Sequence, residues 1–383
     1  MPYVNIKITR EGASAEQKAE LIAGATELLQ RVLNKNPATT VVVIDEVDTD
    51  NWGDRWRAGH AATEERSIGG SRRLQTRFYE PPPGHIVSTH HARVALVTCA
   101  AYPNLFEDDL PLVAALEDLG IEPFPAIWDD TAIDWTSFDA LVIRTPWDYF
   151  ERAAEFRAWL DARIASGVLM CNAGDILDWN YDKRYLQDLE AAGVPLVPTI
   201  FIQRGEKADI AALARARGWD EIVVKPTISG GAYRTHRFRV DDAASYQQEI
   251  DETLAGRGVL VQPFLPEILS GGELSLLFFD GVFSHAVCKR PKPGDYRVQF
   301  QFGGTTERVE VEPALVAQAR ACVLAAPSRP VYARVDGVVK DGRFLLMELE
   351  VFEPLMFLGH DAAAPGRFAR AVQGRLCASS GLA

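Results

Sequence analysis

Residues Arg334–Pro354 read RVDGVVKDGRFLLMELEVFEP, and this stretch decides the fold. Two β-rich runs flank Asp341–Gly342, and an Asp-Gly pair between such runs is a strong signal for a two-residue hairpin turn. Asp336 lies on the first strand. Glu348 and Glu350 lie two apart on the second, so they project from one face. Their neighbours Leu346, Met347, Leu349, Val351 and Phe352 are apolar, which makes this a core-grade strand that carries carboxylates. Two like charges about 4 Å apart repel by about 4 kcal/mol at an effective dielectric of about 20. Three acids converging there call for a cation, and an all-oxygen set suits Mg²⁺ bridging to phosphates. The alternative is a strand that meets water on that side.

Further out from the hairpin, paired strands dominate: EIVVKP, HRFRV, VLVQPF, and ELSLLFF with VFSHAVCKR across Asp280–Gly281. Lys225 leaves a strand just before Gly230–Gly231. The ammonium supplies point charge there, and the glycines let backbone N–H groups approach phosphate oxygens. An ordinary turn with a surface lysine reads the same way. Lys289, Arg290, Lys292 and Arg297 surround a loop that contains Gly294 and ends at Gly303–Gly304. Such a cationic loop in an acidic protein suits an anion site or a lid, or else a solvated face. This region opens with the helix DKRYLQDLEAAG, stopped at Gly193 and closed by Pro195. Before it, strand RVALVTCA, a helix through Pro111 to Leu119, strand Ala140–Arg144 and helix Ala153–Ala165 predict an open α/β layer. Arg144, at a strand end, either binds a carboxylate or lies on the surface. The Trp147-Asp148-Tyr149 cluster beside it is the other chemical handle of this layer.

The 383 residues suit two or three domains, and 47% hydrophobic with 24% charged residues is ordinary globular composition. The apolar runs fall short of a membrane helix, and no export signal precedes the first strand. Five scattered cysteines argue against a disulfide framework and fit a reducing cytoplasm. Fifty-three acidic against forty basic residues give a net charge of −13, which disfavours nucleic acid and anionic membranes as partners. The opening residues predict a βαβ unit: strand YVNIKIT, a helix with Ser14 and Gln17 spaced as a capping box, and strand TTVVVIDEV. So small a unit does not bury both faces alone and is expected to self-associate, making the protein a homo-oligomer. The expected division is 1–53, a linker at 54–91, an α/β layer at 92–180, and a region at 181–375 split near 260.

Walker, Rossmann, zincin and nucleophile-elbow motifs are absent. In order, however, VVKPTISGGA, LVQPFLPEI, GGELSLLFFDG, KRPKPGDYRVQFQFGG and RVDGVV with MELEVFEP resemble the ATP-grasp ligases. The order and spacing are similar to bacterial glutathione synthetase, and WDYFERAAEF…WNYDKRYLQDLEAAGVPLVPT resembles the D-cycloserine synthetase branch. The resemblance covers about Arg93 to Gln373. It implies an α/β and α+β architecture, an open layer followed by two subdomains clasping ATP. It further implies an ATP- and Mg²⁺-dependent ligase of the carbon–nitrogen class EC 6.3, with Mn²⁺ as an alternative ion. Such an enzyme joins a small amino-acid-like acid to an amine through an acyl phosphate, either as a ring closure or as a peptide ligase. Residue by residue, Lys183 and Lys225 contact phosphates under Gly230 and Gly231. Gln262, Pro263, Phe264 and Leu265 form the adenine hinge, and Glu273 lies near the ribose. Arg297 and Lys289 act in catalysis, and Asp336, Glu348 and Glu350 bind Mg²⁺. Glutathione synthetases carry asparagine where this chain has Glu350, and Glu353 is an alternative ligand.

The opening PYVNIKITREGASAEQKAELI…NPATTVVVIDEVDTDNWG resembles the 4-oxalocrotonate tautomerases, which use a proline freed by loss of Met1 as a base. That assigns Pro2 the catalytic position. The family's arginines are not matched: Ala13 and Val41 stand at their places, with Arg10 nearby, and Trp52 matches the family's Phe. The module is then either an active tautomerase or a vestigial, oligomerising one, and an alternative function for the whole chain is a tautomerase with a nucleotide-binding regulatory portion.

Overall fold

The computed structural model describes residues 3–9, 13–33, 41–47 and 91–379. The chain separates into two units, Met1–His85 and Ile86–Ala383. In the first, β1 (Tyr3–Thr9) and β2 (Val41–Val47) pair in parallel, with Tyr3 opposite Val41 and Thr9 opposite Val47. Helix Ala15–Leu33 makes the crossover. It starts at the expected capping box: the Ser14 hydroxyl accepts from the Gln17 N–H at 3.2 Å, and the Gln17 side chain accepts from the Ser14 N–H at 2.8 Å. Leu21, Ile22 and Leu28 on this helix are exposed. Pro2, Arg10 and the expected linker up to His90 lie outside the described residues.

The second unit opens with a four-stranded parallel sheet of β3 (Arg93–Thr98), β4 (Glu122–Ile127), β5 (Ala140–Thr145) and β6 (Leu169–Cys171), in the order β4-β3-β5-β6. β3 is buried from Val94 to Thr98 and β5 throughout, as continuous apolar runs in a parallel sheet require. An antiparallel sheet follows, made of β7 (Ile200–Ile202), β8 (Glu221–Pro226), β9 (His236–Arg239) and β10 (Val259–Pro263), ordered β7-β10-β8-β9. The last sheet contains β11 (Glu273–Phe279), β12 (Val282–Arg290), β13 (Thr305–Arg308), β14 (Tyr332–Lys340) and β15 (Arg343–Glu350). Its order is β13-β12-β11-β14-β15, antiparallel throughout. Both Asp-Gly pairs are two-residue hairpin turns: Phe279 pairs with Val282 and Lys340 with Arg343. All four turn residues have positive φ (49° and 71°, 50° and 74°), which the second residue tolerates because glycine lacks a Cβ.

β15 is the edge of its sheet: backbone of residues 195–197 pairs with it at Leu346, and beyond that side chains take the place of a strand. Asn180 donates to the Leu349 carbonyl at 2.8 Å and accepts from the Val351 N–H at 3.1 Å, while the Tyr185 hydroxyl accepts from the Leu349 N–H at 2.9 Å. Asn172, fully buried at the end of β6, donates to the Tyr332 and Val351 carbonyls and accepts from the N–H groups of Val331 and Tyr332. These amides tie the acidic hairpin to the elements before it and satisfy backbone groups that burial would otherwise leave unpaired. No described helix is long and apolar enough to cross a membrane.

Candidate active site

A cavity of about 1350 Å³ opens within the second unit, lined from the parallel layer and from both antiparallel sheets. Every described residue that the ATP-grasp resemblance named as a site residue lines it, whereas Arg144, Arg290 and Lys292 do not. Lys225 sits near the end of β8. Lys183 precedes helix Tyr185–Ala191, and its N–H donates to the Thr227 carbonyl at 2.8 Å. Their ammonium groups converge on one carboxylate: Glu348 lies 2.8 Å from Lys183 and 4.0 Å from Lys225. Lys183 also donates to the Ser229 carbonyl at 2.6 Å, beside the glycine loop. Gly230 belongs there for steric reasons, because a Cβ would stand 2.9 Å from the Phe150 ring. Gly231 accepts from the Gln301 side chain at 3.3 Å, so the loop after β12 touches the glycine loop directly.

At the expected hinge, some polar groups are already engaged. The Gln262 amide donates to the Thr199 hydroxyl at 2.8 Å, and the Phe264 N–H donates to the Glu221 carbonyl at 2.9 Å. The Arg237 guanidinium lies 3.5 Å over the Phe264 ring and pairs with Glu221 at 2.9 Å, which braces one wall.

The hairpin register places Asp336 directly opposite Glu348 and Arg334 directly opposite Glu350. Arg334 was not singled out from the sequence, yet it is central to this cluster. It donates to both Asp336 oxygens at 3.0 Å, to Glu350 at 2.5 Å and to the Leu355 carbonyl at 3.0 Å. An arginine two residues before an acid on a strand shares its face, which is the signal that would have found it. Asp336 also accepts from the Ser275 hydroxyl and lies 3.4 Å from Lys289. Lys289 pairs with Glu273 as well, its cross-strand partner. The Glu273 carboxylate thus pairs with Lys289 in the ligand-free structure while still lining the cavity. Arg297 lines the cavity, but its guanidinium pairs with Asp295 at 2.8 Å and stacks 3.8 Å over Phe302.

The three expected metal acids thus share one face, each holding a protein cation. Among the described residues, no three His, Cys, Asp or Glu side chains stand ready to hold an ion. The donor chemistry fits Mg²⁺ all the same, since opposed carboxylates with no thiol or imidazole suit a hard cation. Burial opposes charge throughout the cluster. For Asp336 it is outweighed by Arg334 and Lys289, which hold the carboxyl down at about 2, and for Glu348 by Lys183 and Lys225, which lower it. For Glu350 burial wins, with help from Glu348 and Asp336, and pushes the carboxyl up to about 8 despite Arg334. Burial likewise lifts Glu353 to about 7. Lys225 is lowered by burial, whereas Glu348 overcomes burial at Lys183 and raises it.

Arg144 is neither a surface residue nor a substrate ligand. It is 1% exposed, pairs with Asp109 at 2.8 Å and donates to the Pro354 carbonyl at 2.9 Å, tying β5 to the segment after β15. Trp147 does line the cavity, donating to the Glu353 carbonyl at 3.2 Å.

Comparison with known proteins agrees with this geometry. The family profile described as D-cycloserine synthetase DcsG, N-terminal domain, matches residues 94–172, and the profile described as tautomerase enzyme matches residues 2–54. The cycloserine biosynthesis protein DcsG of Streptomyces lavendulae is 34% identical over 298 residues, which is 74% of this chain and 98% of that protein. A crystal structure of D-cycloserine synthetase DcsG superposes with a TM-score of 0.68 at 33% identity, covering 74% of this chain and all of that one. A D-alanine–D-alanine ligase from Bacillus anthracis complexed with ATP shares the fold, with a TM-score of 0.56 at 17% identity over 76% of this chain and 99% of that one. Over the opening segment, a probable tautomerase of Dickeya dadantii is 62% identical across 66 residues, which is 17% of this chain and 94% of that protein.

Proposed function

The chain belongs to the D-cycloserine synthetase family of ATP-grasp ligases, and on that premise we propose that it joins a carboxylate to an amine on a small amino-acid-like substrate, as an intramolecular ring closure. The observation that carries this reading is the convergence of Lys183 and Lys225 on Glu348 beneath the glycine loop. Two buried ammonium groups sharing one carboxylate form a site for phosphate oxygens, with Glu348 as their counter-charge until a nucleotide arrives.

In the reaction, a substrate carboxylate oxygen attacks the γ-phosphorus of ATP and ADP leaves. The amine nitrogen then attacks the carbonyl carbon of the acyl phosphate, a C–N bond forms, a C–O bond breaks, and phosphate departs with the amine losing a proton. Lys183, Lys225 and the backbone of Gly230–Gly231 hold the phosphates, and Arg334 and Lys289 neutralise charge beside the acid pair. Arg297 leaves Asp295 to meet the transferring phosphoryl group. Asp336 and Glu348 would hold Mg²⁺, with Glu350 as the third; when bound, the ion neutralises phosphate charge. Residues 263–265 would receive the adenine. On this reading the protein is cytoplasmic and oligomeric, self-associating through its first unit, where Pro2 acts as a weak tautomerase base.

The test is a panel of D- and L-amino acids and D-serine derivatives, including ring-opened cycloserine (O-amino-D-serine), assayed for Mg²⁺-dependent ADP release. ADP release with such an acid, and a cyclic product by mass spectrometry, is the expected result. ATP binding without turnover for any member would refute a ligase role.

A further inference from the structure

Four carboxylates crowd the end of the β14–β15 hairpin, and three of them face protein cations: Asp336 faces Arg334 and Lys289, Glu348 faces Lys183 and Lys225, and Glu350 faces Arg334. Glu353 differs. It lines the same cavity, yet among the described residues no lysine, arginine or histidine forms an ion pair with it. The hydroxyl of buried Tyr149 lies beside its carboxylate and reaches towards the Ser229 carbonyl at 3.5 Å. Its own carbonyl accepts from Trp147. One Glu353 oxygen stands 3.9 Å from where a Cβ on Gly230 would sit, so the carboxylate lies beside the glycine loop. Trp147 and Tyr149 follow β5, so the group is held from the parallel layer rather than from the nucleotide side.

A half-buried carboxylate in a cavity that has no contact ion pair, with Lys183 and Arg334 acting on it only at longer range while each is paired to another acid, is suited to a ligand that brings its own cation. The ligase reading above, on which this step rests, puts the substrate carboxylate at the glycine loop. In an α-amino acid the ammonium nitrogen is two bonds from the carboxyl carbon, and so comes within reach of Glu353. We propose that Glu353 is the recognition group for the α-ammonium of the acid being activated, with the Trp147 and Phe150 rings as the wall that accepts the cation. The attacking nitrogen is not its ligand. A nucleophilic amine must be neutral, and a carboxylate neighbour favours the protonated form.

The test compares wild type with Glu353→Gln on matched substrates: amino acids, and the same acids lacking the amino group, such as serine against 3-hydroxypropionate. Mg²⁺-dependent ADP release is the readout. The wild-type preference for the amino acid should fall by about a hundredfold in the variant through a raised KM for the amino acid, because a site built to bond an N–H rejects analogues lacking it. The KM for ATP and the Mg²⁺ requirement should be unchanged. Tyr149→Phe, which removes the hydroxyl beside the carboxylate together with its long contact to the Ser229 carbonyl, should shift the preference in the same direction by less. Calorimetric binding of ADP with Mg²⁺ checks that the Gln variant is folded. An unchanged preference overturns the proposal, and so does weakened Mg²⁺–nucleotide binding with the preference intact, which makes Glu353 a metal ligand. Should wild type release no ADP with any acid, the ligase reading fails on its own. Calorimetry of serine against 3-hydroxypropionate then decides Glu353 separately: discrimination lost in Glu353→Gln supports the subsite, and discrimination kept removes it.

Discussion

Replacing Glu348 with Gln should have opposite effects with and without magnesium. In this structure the Glu348 carboxylate lies 2.8 Å from Lys183 and 4.0 Å from Lys225, occupying the place where phosphate oxygens would go. At an effective dielectric of about 20, each of those ion pairs has a gross attraction of about 4–6 kcal/mol, most of it offset by desolvation. The carboxylate is about a fifth exposed, so removing its charge should destabilise the ligand-free protein by about 1–3 kcal/mol rather than the ~3–5 of a fully buried broken pair. A melt should show a loss of a few degrees. Without magnesium, the same change removes a negative charge from the path of ATP. A carboxylate about 5 Å from a phosphate repels it by about 3 kcal/mol per charge pair at that dielectric, and if about a third of this survives screening, metal-free ATP binds roughly fivefold tighter. With magnesium, the variant lacks one of the acids proposed to hold the ion, and turnover should fall at least about a hundredfold. Trp147 fluorescence or calorimetry gives the two affinities, and coupled ADP release gives the rate. Weaker metal-free ATP binding together with unchanged Mg²⁺-dependent turnover would refute the idea that Glu348 exchanges its lysines for a metal.

Four further outcomes follow from the same geometry. Lys225→Ala should raise the KM for ATP or abolish turnover, and Lys225→Arg should rescue poorly because a planar fork does not replace a compact charge; wild-type kinetics in both would remove Lys225 from the phosphate site. Asn180→Leu keeps the branched shape but leaves the Leu349 carbonyl and Val351 N–H unpaired, costing about 2–4 kcal/mol, and a denaturant midpoint equal to wild type would contradict the edge-pinning role. Glu353 and Glu350, raised to about 7 and about 8, bind protons in the folded protein that they would lose on unfolding, so ligand-free stability should decline as pH rises from about 4.5 through 8. Asp336, held down at about 2, works the other way, its contribution disappearing as pH falls through about 4 towards 2; melts that rise steadily from pH 5 to 8 would contradict this assignment. Finally, a chain beginning at Arg93 should keep ATP-dependent activity but lose self-association, while Pro2→Ala should abolish a low enol tautomerase activity; loss of all ligase activity on truncation would show the two units to be coupled.

How much of this was legible in the sequence depends on whether local rules or cross-strand partners decide. The Asp-Gly turns, the Ser14–Gln17 box and the parallel layer of apolar strands could all be read, because each is set by residues within a few positions. The acidic face of the hairpin could be read too, since period two fixes which side chains share a face. Hidden from sequence were the ion-pair partners. Arg144 sits at a strand end like a substrate ligand, but Asp109, 35 residues away, and a carbonyl after β15 claim it. The pairing of Glu273 with Lys289 exists only through the β11–β12 register, which places the two opposite each other. Asn172 and Asn180 carry no local signal at all, because their role exists only where an edge strand comes to lie against them.

The charge arrangement around the hairpin has a consequence for how such a site folds before it works. Asp336, Glu348 and Glu350 would repel one another if placed alone on one buried face. The chain answers with Arg334, Lys289, Lys183 and Lys225, three of which are less than 10% exposed. These cations come from four separate stretches: Arg334 from β14, Lys289 from β12, Lys183 from the turn before helix Tyr185–Ala191, and Lys225 from β8. The ligand-free cluster is thus close to neutral, assembled only when both antiparallel sheets are in place. On the proposed reading, a nucleotide would displace carboxylates from lysines and a metal would take up the carboxylates so released, so each ligand would be stabilised by the partner the other sets free. Binding of ATP and Mg²⁺ should accordingly be cooperative, each raising the other's affinity by the same factor. That symmetry can be measured by titrating nucleotide at fixed Mg²⁺ and Mg²⁺ at fixed nucleotide, after subtracting the coupling that free ATP and Mg²⁺ show in water. A residual coupling of one would mean that the lysine–carboxylate pairs persist in the loaded enzyme and that the acids of the hairpin are not the metal's ligands.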